Sequence, residues 1–265
     1  MKPRLWLGLT LGLSLSSTAA LAAPLRIMSL DQCADQYVLN LAPDAVLGLS
    51  LRADDEDSWS RDQARGHRLL RPSLETALGF QPDVVVRYWG GEPRLLSALE
   101  RRGVRVLTIE DATDMAGVQR NIQTIAKGLD QPQRGADLIA RMEADLAKAA
   151  GAGGGRSLLY VTPGGYTGAK GTLMDAILTS AGFKNAAKGQ GFVPLGIEAL
   201  VFSPPALVVR GFYNLWRGNW RGPGRHPVVQ RLIKDRAVTE LSASTLSCPA
   251  WFAAEASAQL AEAVK

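Results

Sequence analysis

A chain of 265 residues that is 46% hydrophobic and 21% charged, with no low-complexity tract and no internal repeat, can bury a sizeable core and has room for one large domain or two small ones. Its formal charge of +5 falls to +3 once Lys2 and Arg4 of the leader are set aside, too mild a surplus to point to nucleic acid. Two histidines and two cysteines give no His/Cys cluster at metal-binding spacing, so no metal site is expected.

The opening MKPRLWLGLTLGLSLSSTAALAAP has a basic start, a short apolar run and an A-x-A pattern ending at Ala22. Residues 1–22 are therefore predicted to be a cleaved signal peptide rather than a membrane span. No cysteine closely follows the run, so a soluble periplasmic protein is expected rather than a lipid-anchored one. In that oxidising compartment, parity favours a disulfide between Cys33 and Cys248 over two free thiols or a soft-metal pair.

The mature chain starts with a buried strand at 25–29, a helix at 34–41 and a strand at 46–49. The polar stretch RADDEDSWSRDQARGHR then reads as an exposed loop whose single large aromatic is Trp59. A short helix opens at Pro72 and Ser73, Pro82 stops it, and VVVR is the next strand. A helix from Pro93 to Arg102, capped by Gly103, a strand at 104–109 and a helix capped by Thr113 and ended by Gly128 follow.

Residues 132–150 then read as one long helix with Leu138, Ile139, Met142 and Leu146 on a stripe, closed by GAGGG. Alternation resumes with a strand at 157–162, a helix at 172–181 whose Thr172 and Asp175 resemble a capping box, and a short helix near Glu198. A strand at 206–210, a helix at 226–234, a strand at 237–241 and a final helix at 251–264 complete the pattern. The fold class is α/β: two Rossmann-like lobes with parallel sheets, 23–128 and 156–265, joined by a linking helix within 129–155.

Ligands of open parallel sheets sit beyond the carboxyl ends of the strands, so the loops there are where binding residues are expected. They carry Tyr88 and Trp89 after VVVR, Tyr166 in PGGYTGAKG, Arg210, Phe212, Tyr213 and Trp216 in RGFYNLWRGNW, and Trp251 beside Cys248. With Trp59, these form the candidate wall of a cleft between the lobes; the competing reading is that they are lids over each lobe's own core. The arginines of 210–225 would suit a flat, anionic or chelate-like molecule, whereas Arg231 to Arg236 read as a solvated helix. No G-x-S-x-G, H-E-x-x-H or P-loop occurs, and GAGGG precedes a strand instead of following one. The acids from Asp54 to Asp57 read as solvated charge, and no catalytic residue is expected.

RIMSLDQCADQYVLNLAPDAVLGLS, SLETALGFQPDVVVRYWGG, GAKGTLMDAILTSAGFKNAA and IEALVFSPPALVV, in this order around a lone linking helix, resemble the periplasmic substrate-binding proteins of ABC importers for cobalamin and ferric siderophores. The resemblance implies a helical-backbone two-lobe binder, without catalytic activity or a cofactor of its own, that delivers a small-molecule chelate to an inner-membrane permease and its ATPase. It implies a monomer with no nucleic-acid partner. It also implies that Glu75 and Glu198 dock onto permease arginines. Tyr88 and Tyr166 keep aromatic character where the family's vitamin B12 binder has tryptophan and phenylalanine, while Leu69 and Leu195 replace two of its tryptophans. A haem ligand would rest on Tyr88 or Tyr166 as an iron-bound phenolate. An exported enzyme or a receptor-linked sensor on the same scaffold is the alternative, since fold does not fix function.

Overall fold

A computed structural model describes residues 23–215 and 221–265. In its first half, β1 (Arg26–Ser29), α1 (Gln32–Leu41), β2 (Val46–Ser50), β3 (Arg68–Leu70), α2 (Leu74–Phe80), β4 (Val84–Arg87), α3 (Pro93–Glu100), β5 (Arg105–Thr108) and α4 (Met115–Gly128) alternate along the chain. The strands form one sheet in the order β3-β2-β1-β4-β5, parallel throughout, with Ile27 opposite both Leu47 and Val84. Val84, Val85 and Val86 are fully buried, as a parallel strand covered on both faces requires.

The linking helix α5 (Pro132–Ala149) is 18 residues long, about 27 Å at 1.5 Å per residue. Proline at its first turn fits the position where the missing N–H costs nothing. Leu138 and Met142 are buried, with Ile139 and Leu146 flanking them on the core side.

The second half contains β6 (Ser157–Val161), β7 (Tyr166–Gly168), α6 (Leu173–Ser180), β8 (Lys184–Asn185), β9 (Phe192–Pro194), α7 (Ile197–Phe202), β10 (Leu207–Gly211), α8 (Pro227–Arg236), β11 (Ala237–Leu241), α9 (Ala243–Leu246) and α10 (Ala253–Glu262). A parallel sheet runs β11-β10-β6-β8, and β7 pairs with β9 as a separate antiparallel ribbon. That ribbon, β3 and the short α9 depart from the expected alternation, because segments of two to four residues carry too little periodicity to be read.

Two local expectations are corrected. The α4 cap is Asp114, whose side chain accepts from Gly117 N, and not Thr113; a carboxylate at this position answers an otherwise unpaired N–H. The polar stretch after β2 is not simply an exposed loop, since Ala53, Ser58, Ser60 and Ala64 are buried in successive turns. Gln36 organises it by donating to Ser58 Oγ at 2.8 Å and accepting from Ser60 N at 2.7 Å.

The lobes are linked a second time. After α9 the chain returns to the first lobe, where Ala250, Trp251 and Phe252 join the core around Tyr37 and Val38. Tyr37 donates to the Pro249 carbonyl at 2.7 Å. Cys33 in α1 and Cys248 form a disulfide with their Cα atoms 5.4 Å apart, and α10 then packs along α5 and α6. The bridge therefore fastens the returning segment to the first turn of α1.

Candidate binding cleft between the lobes

In the first sheet the strand order reverses at the β1/β4 pair, so the loops after these strands diverge to opposite faces and leave a crevice above the sheet. Asp31, just past β1, organises that crevice. Its Oδ1 accepts from Ala34 N at 3.0 Å and caps α1. Its Oδ2 accepts from the backbone N–H groups of Tyr88, Trp89 and Gly90 at 2.7, 3.1 and 2.8 Å. One carboxylate thus fixes both loops of the switch point, a role the sequence reading did not assign to it.

Glycine is required in the second loop. A Cβ on Gly90 would lie 2.4 Å from the Leu30 carbonyl oxygen, and Gly91 has φ of +88°. The chain held this way presents Trp89 outward at 70% exposure, with the Tyr88 ring edge-on to it at 5.5 Å. Tyr88 donates its phenol to Asp111, and burial followed by that hydrogen bond pushes its pKa up to about 12.

Two adjoining cavities form the cleft. One, of about 390 Å³, lies over the first lobe between Asp31, Leu51, Pro72, Tyr88 and Trp89. The other, of about 370 Å³, spans the lobes, with Gln32 and Asp57 facing Leu173, Phe192 and Phe212. Both are bordered by Gln32, Arg52 and Ser247, which makes them parts of one crevice. Arg52, half-exposed at the border of both parts, is paired with Asp55 at 2.8 Å and Asp57 at 3.3 Å. Gln32 donates to Asp57 at 3.0 Å, so the acidic run read as solvated charge supplies a cleft residue.

The β7–β9 ribbon supplies the opposing aromatic surface. Its register puts Tyr166 opposite Pro194 and Gly168 opposite Phe192, which places both rings on one face, at 52% and 69% exposure. Phe192 was not anticipated, although QGF repeats in reverse the aromatic-glycine pattern of WGG.

Other expected cleft residues lie elsewhere. Trp251 is a core residue at 2% exposure, edge-on to Tyr37 at 5.6 Å and to Trp59 at 5.5 Å. Trp59 stacks on Phe252 at 5.4 Å and donates its indole N–H to Glu255 at 2.8 Å, so it serves the interlobe crossing and not the cleft. Tyr213 is 8% exposed, donates to the Gly224 carbonyl at 2.9 Å and lies beneath the Arg225 guanidinium. Arg210 is paired with Glu240 on the neighbouring strand at 2.9 Å and does not border the crevice. Trp59 and Tyr213 pack against their own lobe's core and Trp251 enters the core of the other lobe, where apolar area is removed from water. Phe212 does border the crevice, with φ of +64°. Trp216 lies outside the described residues.

Glu75 and Glu198 are exposed in the first turns of α2 and α7, one on each lobe. Leu74 and Leu78 accompany the first and Val201 and Phe202 the second, all exposed. Among the described residues no group of three or more His, Cys, Asp or Glu could hold a metal ion, and no helix is long and apolar enough to cross a membrane.

Solved structures similar to this one share its two-lobe architecture. The periplasmic heme-binding protein RhuT from Roseiflexus sp. RS-1, in apo form, superposes with a TM-score of 0.69 at 20% identity, over 91% of this chain and 98% of that one. The periplasmic vitamin B12 binding protein BtuF of Vibrio cholerae gives 0.60 at 17% identity, over 91% and 96%. A curated relative, the uncharacterized ABC transporter substrate-binding lipoprotein YvrC of Bacillus subtilis (strain 168), is 26% identical over 188 residues, 65% of this chain. The match spans 58% of that relative's length. Residues 53–244 match the family described as periplasmic binding protein, and the chain is a member of that family.

Proposed function

We propose that this protein captures a flat metal chelate, such as a ferric siderophore, a corrinoid or haem, between its lobes outside the cytoplasm and hands it to an ABC permease with its ATPase. The observation that carries this reading is that Trp89 on one lobe and Phe192 on the other are exposed rings bordering one crevice, while Tyr166, exposed on the same ribbon as Phe192, does not border it. Isolated exposed rings are ordinary, but rings gathered at a crevice are what a planar ligand needs for stacking. Arg52 adds a cation for the carboxylates or phosphates such chelates carry. The leader, predicted to be removed after Ala22, provides export. Glu75 and Glu198, each beside exposed apolar side chains, supply two-point docking to the permease. Binding without bond-making is part of this reading, in keeping with the periplasmic binding protein family to which the chain belongs.

The test is a tryptophan-fluorescence titration of the ligand-stripped protein with haem, cobalamin, cobinamide and several ferric siderophores, repeated with Trp89→Ala and Phe192→Ala. One chelate is expected to quench saturably at or below about 1 μM, near −8 kcal/mol, and to lose at least about tenfold in affinity in either variant. A flat response to all of them would remove the chelate reading.

The haem form of the reading rests on Tyr88, which borders the crevice and would bind iron as a phenolate. A charge-transfer band on haem binding that vanishes in Tyr88→Phe is the expected sign. Its retention in Tyr88→Phe and loss in Tyr166→Phe would assign the ligand to the other lobe.

A further inference from the structure

Asp31 fixes the loops after β1 and β4, but the crevice has a third strand end in its wall. The loop after β2 begins at Ser50 and continues through Leu51 and Arg52, and all three residues border the crevice. Asp35, in the first turn of α1 and fully buried, is bonded to the root of that loop. Its carboxylate accepts from Ser50 N at 2.8 Å, from Ser50 Oγ at 2.6 Å and from Ser29 Oγ at the end of β1. Ser50 Oγ in turn accepts from Arg52 N at 3.2 Å. A chain of hydrogen bonds thus runs from a buried acid to the backbone of the cleft arginine.

Among the described residues no cation pairs with Asp35; its partners are two hydroxyls and one N–H. Asp31 is the charged group whose field reaches it, and that field opposes ionisation. The elements β4, α4 and α5 join α1 in one apolar core through Val84, Val86, Val118, Ile122 and Leu138. A carboxyl buried without a counter-ion costs free energy that an apolar side chain in its place would not. What this one does in return is hold the ends of β1 and β2, both of which lead directly into the crevice wall.

We infer that Asp35 is a positioning residue of the cleft, which through Ser50 sets where Leu51 and Arg52 stand at the ligand. The inference rests on the crevice being the binding site. Hydroxyls donating to a carboxylate are held more firmly than those donating to a neutral group, so the ionised acid gives the better-ordered wall. Burial raises the Asp35 pKa to about 6, which puts both forms within reach of ordinary buffers. Asparagine in its place keeps the shape and imitates the protonated acid.

Proton–nitrogen correlation spectra of the mature protein without ligand, recorded from pH 5 to pH 8, test the positioning. The Ser50 and Arg52 amide signals should move together through one titration, and in Asp35→Asn they should stay near their acid-limit positions. Fluorescence titration with haem and with cobinamide at pH 5 and pH 8 tests the consequence for binding. Whichever of them binds should do so about fivefold more tightly at pH 8, the difference between a charge-assisted and a neutral hydrogen bond. Asp35→Asn and Ser50→Ala should each bind at both pH values as the acid form does, and the double variant no more weakly than either, because both break the same chain. Melting curves check that each variant is folded. Amide signals that do not titrate, a titration that survives in Asp35→Asn, or the same pH dependence of affinity in Asp35→Asn as in the unsubstituted protein would each overturn the assignment. If neither haem nor cobinamide binds, the loss falls on the chelate reading, and the spectra of the free protein alone decide the role of Asp35.

Discussion

Replacing both bridge cysteines with alanine tests how the lobes are held. The disulfide joins residues 215 apart in sequence, so in the unfolded chain it closes almost the whole mature protein into a loop. The chain-entropy relation for a loop of that length gives roughly 5 kcal/mol at 25 °C. The bridge is not alone in holding the returning segment, because the Tyr37 bond to Pro249 and the burial of Trp251 and Phe252 persist without it. Cys33→Ala/Cys248→Ala should therefore fold, with a loss of about 2 to 5 kcal/mol. Urea unfolding followed by tryptophan fluorescence measures this directly, since Trp59 and Trp251 sit on the two sides of the crossing. The midpoint should fall, and the slope should rise because the uncrosslinked unfolded chain exposes more surface. Treating the unsubstituted protein with a strong reductant should give the same shift. A loss below about 1 kcal/mol in both experiments would refute the account, leaving the second crossing to packing alone.

Gly90→Ala should weaken chelate binding and lower the melting temperature, because a Cβ 2.4 Å from the Leu30 oxygen forces the 88–90 loop off Asp31; an unchanged titration and melting curve would contradict the switch-point geometry. Asp35 is fully buried, and burial raises its pKa from 3.8 to about 6 against the opposing hydrogen bonds from Ser29 and Ser50. An acid with a raised folded-state value stabilises the fold below its unfolded pKa and loses that contribution as pH rises, here between about 4 and 6, by roughly 3 kcal/mol. Relative to Asp35→Asn, the unsubstituted protein should thus lose stability from pH 4 to pH 7 and then level off; a pH-independent difference between the two would show that the carboxyl titrates normally. Glu75→Lys and Glu198→Lys should each reduce uptake through a reconstituted permease several-fold and together more, and undiminished uptake by the double variant would exclude docking through these helices.

The sequence by itself determined the elements that carry a strong local signal. VVVR is a buried strand because three β-branched residues in a row fit only a doubly covered sheet, and α5 is legible from its apolar stripe between Pro132 and GAGGG. Tyr88 and Trp89 were placed at the crevice by the rule that ligands gather beyond the carboxyl ends of strands, and the sheet order sets that crevice at the β1/β4 switch point. Only the tertiary structure decided which aromatics are walls and which are core. Trp89 and Trp251 both follow strand-like segments, and no local pattern distinguishes them; one is exposed and the other buried because the chain after α9 crosses back to the first lobe. Phe192 and Tyr166 share a face through an antiparallel pairing of three residues on each side, too short to leave a periodic trace. The work of Asp31, which answers one backbone N–H group in α1 and three in the 88–90 loop, depends on contacts 57 to 59 residues away. Local propensity and hydrophobic period are properties of neighbouring residues, whereas burial and loop anchoring depend on where distant segments meet, and that is set only when the whole chain packs.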